Sequence, residues 1–133
     1  MKAASEGMPA DASDVDRLES VLATFASRAL RRPRLAWALL AEPVDPLVDA
    51  ERLVYRERYS ELCAHTLRSA IAAGELPSLS ERDVDLTAAA LVGGCAEVLV
   101  GPLSPLAGPD SPSSEEVLEG MRAFVRRAVG ASR

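Results

Sequence analysis

The chain is short of the residues on which most small-protein chemistry rests. Its 133 residues include one histidine, two cysteines and only 4% aromatics, and Lys2 is its only lysine. Two thiols, Cys63 and Cys95, are too few for a disulfide scaffold; they fit a cytoplasmic chain that keeps them reduced. No apolar run approaches the roughly 20 residues that span a bilayer, so no membrane-spanning segment is expected. The opening MKAASEGMPADASD has no apolar stretch of a secretory leader. There is no glycine-rich phosphate loop, no Gly-x-Ser-x-Gly elbow and no Cys-x-x-Cys pair. His65 falls on the polar side of its helix with no ligand set around it, so a solvated histidine outweighs a metal ligand and no metal or other cofactor is expected. Paired acids such as Asp83 with Asp85, or Glu115 with Glu116, stand at helix starts, where the dipole accounts for them. No catalytic residue is assigned and an enzyme is not expected. The net charge of -5 argues against a nucleic-acid grip by this segment.

What is present is helical periodicity, without strand alternation. Hydrophobic residues make up 48% and charged residues 26%, which suits one globular domain. Five helices are predicted. The first runs from about Ser13 to Arg32, with a stripe of Leu18, Val21, Leu22, Phe25, Ala26, Ala29 and Leu30. Ser13 and Asp16 have the spacing of a capping box, and Arg28, Arg31 and Arg32 suit the negative end of the dipole. Pro33 ends that helix and opens a short second one, Arg34 to about Ala41, carrying Leu35, Trp37, Leu39 and Leu40. Glu42 to Pro46 reads as a turn. The third and longest helix runs from Pro46 or Asp49 to about Ala73, with Gly74 as its stop. Ser80 and Asp83 offer another capping pattern before a fourth helix that reaches Val100. Pro102 to Pro112 is a loop. Ser113 and Glu116 form the clearest capping box and open a fifth helix that ends near Val129. Residues 1–12 read as a flexible tail and 13–130 as the folded domain.

The fourth helix is apolar nearly all round from Leu86 to Ala96, which calls for cover on every side, from its own neighbours or from a second copy of the chain. Gly93 and Gly94 each weaken a helix by about 1 kcal/mol relative to alanine, which makes sense where another backbone comes close. Glu97 lies one turn on from Gly93; it is either a solvated edge residue or a partnered carboxylate. The fifth helix bears Val117, Leu118, Met121, Phe124, Val125, Ala128 and Val129 at near-heptad spacing. It either closes the monomer's own core or joins the fourth helix in a four-helix bundle with a symmetry mate. On the third helix, Tyr55, Tyr59, Leu62 and Thr66 share a flank, with Arg52 and Arg56 in the same arc. Hydroxyls on an apolar face fit a small-molecule pocket, or else a core margin with the hydroxyls in water. Arg52 and Arg56 are read first as surface residues paired with Glu51, Glu57 or another carboxylate.

The order of these elements resembles a known family. The string FASRALRRPRLAWALLAEPVDPLVDAERLVYRERYSELCAHTLRSAIAAGELP, Phe25 to Pro77, resembles the C-terminal regulatory domain of TetR-family transcriptional repressors. DVDLTAAALVGGCAEVLVGPL, Asp83 to Leu103, looks like that family's penultimate helix, ahead of the last dimerisation helix. The likeness covers nearly the whole chain from about Asp14. It does not extend to the helix-turn-helix unit with which that family begins: there is no matching turn, no aromatic recognition helix and no basic face. An excised segment, a mis-assigned start and a natural headless relative all fit that departure, and direct DNA contact is not carried over to this chain.

The resemblance implies an all-α, five-helix antiparallel bundle, a homodimer built on its last two helices, and a small-molecule effector held among the first four. Chosen by face and residue type, the candidate ligand-binding residues are Phe25, Trp37, Tyr55, Tyr59, Leu62, Thr66 and Cys95. The candidate dimer-interface residues are Leu86, Ala90, Gly93, Gly94, Glu97, Val117, Met121, Phe124 and Val125. The effector is expected to be mostly apolar. A second function fits the same residues: a free-standing interaction module that heterodimerises with full-length regulators.

Overall fold

The protein's structure, a computed structural model, describes residues 9–40, 46–105 and 107–131, without the side chains of Leu39 and Val48. The first eight residues of the expected tail, the turn at 42–45 and the second helix's expected end at Ala41 lie outside that set. Among the described residues there are five α-helices and no strand: α1 Asp14–Arg31, α2 Pro33–Leu40, α3 Pro46–Ala72, α4 Val84–Val100 and α5 Ser114–Val129, with a 3₁₀ turn at Glu81–Asp83.

Local chemistry sets most of the boundaries. At α1 the Ser13 hydroxyl accepts from the Asp16 amide at 3.1 Å, and the Asp16 carboxylate accepts from the Ser13 amide at 3.3 Å. That carboxyl is held below its ordinary value, first by the Ser13 hydroxyl and then by Arg126. The same reciprocal box opens α5, where Glu116 accepts from the Ser113 amide at 2.7 Å and the Ser113 hydroxyl accepts from the Glu116 amide at 3.2 Å. The box expected at Ser80 does not form. The Asp83 amide donates instead to the Ser80 backbone carbonyl at 3.0 Å, which winds Glu81–Asp83 into the 3₁₀ turn that leads into α4.

Gly74 ends α3 in the left-handed conformation at φ 74°. The amides of Gly74 and Glu75 donate back to Ile71 and Ala70, each at 3.0 Å. The turn delivers Glu75 to the start of α1, where its two carboxylate oxygens accept from the Asp14 and Val15 amides at 3.2 Å each. The α1 N-terminus is thus capped twice, once locally and once from 60 residues away.

The core is made by Leu18, Leu22 and Ala26 of α1, Cys63, Leu67 and Ala70 of α3, Ala88, Leu91, Cys95 and Leu99 of α4, and Val117, Met121, Val125 and Val129 of α5. Each fully buried leucine contributes about 1.5–3 kcal/mol of transfer free energy. The closest association is that of α3 with α4, while α5 lies mainly along α1. Arg126 binds Glu19 and Asp16, and Arg122 reaches Glu19 at 3.5 Å, so rising numbers on α5 meet falling numbers on α1 and the two helices are antiparallel. Only the C-terminal half of α3 enters the core: its buried residues begin at Cys63, and Leu47 and Leu53 nearer its start are exposed. That emergence of α3 from the core opens the space described next.

Candidate functional site

The C-terminal half of α1, the short α2 and the exposed N-terminal half of α3 enclose a half-open cavity of about 700 Å³. Phe25 and Ala29 reach it from α1, Leu35, Ala36 and Leu40 from α2, and Tyr55 and Tyr59 from α3. The volume is in the range of small-molecule sites, and apolar carbon dominates the wall. The aromatic residues pack as a unit. The Phe25 and Tyr59 rings lie 5.1 Å apart at 57°, and the Tyr55 and Tyr59 rings 4.9 Å apart at 67°, the edge-on arrangement that aromatic quadrupoles favour. The two tyrosine hydroxyls share a hydrogen bond of 3.2 Å. Burial, then that bond to Tyr55, raises the Tyr59 pKa well above its ordinary value, while nearby Arg28 acts in the opposite sense. Tyr59 therefore stays a neutral hydroxyl, able to donate, at any physiological pH.

The polar part of the wall is basic. Among the described residues, Arg28 and Arg31 of α1, Arg32 just past its end, and Arg52 and Arg56 of α3 line the cavity, with Glu51 as the one carboxylate. Arg52 pairs with Asp49 at 3.3 Å and donates to the Ala38 carbonyl, which ties α3 to α2. Sequence reading misses this grouping. The three arginines at the C-terminal end of α1 are explained one by one by the helix dipole, and their meeting with α3 depends on tertiary placement.

Of the seven residues chosen for the ligand, Phe25, Tyr55 and Tyr59 come together here. Trp37 lies on α2 with 47% of its surface exposed and is outside the lining. Leu62 and Thr66 sit further along α3, and the Thr66 hydroxyl donates to the Leu62 carbonyl at 3.0 Å, within its own helix. Cys95 is in the core and borders a separate hollow of about 330 Å³ between α4, α5 and the loop that joins them. Burial pushes the Cys63 thiol up to about 12 and the Cys95 thiol up to about 11.

The residues chosen for dimerisation divide in two. Val117, Met121 and Val125 are buried in the chain's own core. Leu86, Ala90, Gly93 and Glu97 form an exposed stripe along α4, with Leu86 exposed to 75%. Gly94 is half-buried under the Phe124 ring, 3.8 Å from where a β-carbon would stand, and Phe124 itself is 40% exposed. Among the described residues, nothing comes within 4 Å of a β-carbon built on Gly93. So α4, apolar on nearly every side, has one flank that the described residues leave uncovered.

His65 is exposed. Among the described residues, no group of three or more histidine, cysteine or acidic side chains is placed to hold a metal ion, and no helix is long and apolar enough to cross a membrane. No family model, no curated protein and no solved structure matches the chain.

Proposed function

We propose that the chain is the effector-sensing and homodimerising domain of a TetR-like transcriptional repressor. In this reading a small, mostly apolar ligand enters the cavity between α1, α2 and α3 and controls DNA binding by a separate N-terminal unit. The observation that carries it is the cavity itself, with apolar walls, a tyrosine pair for orientation and an opening to solvent. The uncovered flank of α4, continued by Phe124 of α5, supports the dimer. The two features are linked through α2, which lines the cavity and packs on α4; in this reading a second copy covers the outer flank of α4. A ligand that prefers one arrangement of α2 and α3 shifts the pose of α4, and with it the spacing of two DNA-reading units, by no more than its differential affinity for the two states. The same flank serves the second reading, an interaction module that pairs with intact regulators.

Calorimetry of the purified chain against a panel of small apolar molecules tests the ligand reading. At least one binds at one per chain, and Tyr59→Phe weakens it by about 1 kcal/mol if the hydroxyl bonds the ligand. A panel in which nothing binds contradicts it. Operator release by an intact regulator mixed with this chain separates the second reading from the first.

A further inference from the structure

The ligand's chemical class follows from the charge on the cavity wall, given the reading that a ligand binds there. We infer that the cavity takes a dissolved organic anion with an apolar body, its acidic head at the arginines and its body against Phe25, Leu40 and Tyr59.

The whole chain is acidic, at -5, yet among the described residues five arginines and one carboxylate line this cavity. Among the described residues, Arg28, Arg31, Arg32 and Arg56 make no ion pair, as Arg34, Arg58 and Arg127 outside the cavity make none, but only the first four stand together at one apolar space. The dipole of α1 gives Arg28, Arg31 and Arg32 a place at its C-terminal end without any ligand. It gives none to Arg56, which stands in the N-terminal half of α3 and faces the same space. Two helices thus bring like charges, all open to solvent, to the mouth of one cavity, which favours an anion there. Guanidinium forks favour carboxylate and phosphate through paired hydrogen bonds, and the Tyr55–Tyr59 pair adds a neutral donor. The apolar walls and the volume then select an anion that carries a hydrocarbon or aromatic body. A fully polar anion leaves those walls wet, and a neutral or cationic amphiphile makes no use of the charge on Arg28, Arg31, Arg32 and Arg56.

Three probes of equal chain length separate the terms: decanoate, 1-decanol and decyltrimethylammonium, each below its aggregation limit, titrated into the chain by calorimetry. Decanoate binds at least tenfold more tightly than decanol, decyltrimethylammonium does not bind, and the decanoate affinity falls with added salt. Arg31→Gln and Arg56→Gln each weaken decanoate about tenfold and leave decanol unchanged, while Arg58→Gln, exposed and outside the lining, changes neither. Circular dichroism of each variant checks that the helices persist. If decanol or the cation binds as well as decanoate, the anion assignment falls and the ligand-binding reading stands. If none of the three binds, both fall. Binding to anionic phospholipid vesicles without binding to monomeric decanoate also overturns the inference, since it places the arginines on a membrane surface.

Discussion

Tyr59 closes the floor of the cavity, with its ring against Phe25 and its hydroxyl against that of Tyr55. Residues of this kind are readable in a sequence, because an aromatic with a polar tip on an apolar flank has few uses. Thr66 has the same signature and a different outcome: its hydroxyl turns back to its own helix, four residues away. The contrast between Ser13 and Ser80 is similar. Both precede an aspartate by three residues, but only the first forms the box, because the Asp83 amide is already taken by a backbone carbonyl. Interactions across the chain carry no local signal, and neither the Glu75 cap on α1 nor the Arg126 bridge to Asp16 and Glu19 is legible beforehand. A residue-scale prediction concerns the thiols. Their folded values of about 12 and 11 lie above the ordinary 9.0, so ionisation favours the unfolded chain. Their contribution to stability is whole below pH 9 and declines as pH rises from there through the folded values. Labelling with a thiol-specific disulfide reagent at pH 8 follows global unfolding and proceeds at the full rate only in denaturant; rapid labelling of the folded chain contradicts the burial of Cys63 and Cys95.

The helices were legible almost to the residue, since prolines, glycines and serine caps punctuate the chain at short range. Their neighbours were less so. The stripe on α5 read equally well as a dimer seam or a core face, and periodicity cannot tell which of two apolar surfaces covers it; Val117, Met121 and Val125 turn inward and Phe124 outward. α4 posed the opposite difficulty, because an all-round apolar helix does not say which flank is covered from within. Two glycines make an element-scale test. Gly74→Ala forces a β-carbon into φ 74° and costs about 1 kcal/mol in urea unfolding. Gly93→Ala meets nothing among the described residues, so the better helix propensity stabilises the subunit by up to about 1 kcal/mol. If a second copy packs its backbone close to Gly93, the same change weakens self-association at least tenfold. A Gly93→Ala chain that associates as tightly as the original removes the close approach.

At the scale of the molecule, the fold separates two surfaces. One is the cavity at the α1, α2 and α3 end, where basic side chains gather on an acidic protein. The other is the flank of α4 with Phe124, where Leu86, Ala90 and Gly93 lie in the open. Composition foretold neither: the overall charge hides a local reversal of sign, and the hydrophobic content does not reveal how it is shared between interior and surface. In the proposed reading a second copy covers that exposed stripe. Sedimentation equilibrium of the chain at micromolar concentration, beside Leu86→Glu, tests this account most directly. A dimer is expected for the original chain and a folded monomer for Leu86→Glu. A monomer for both contradicts it.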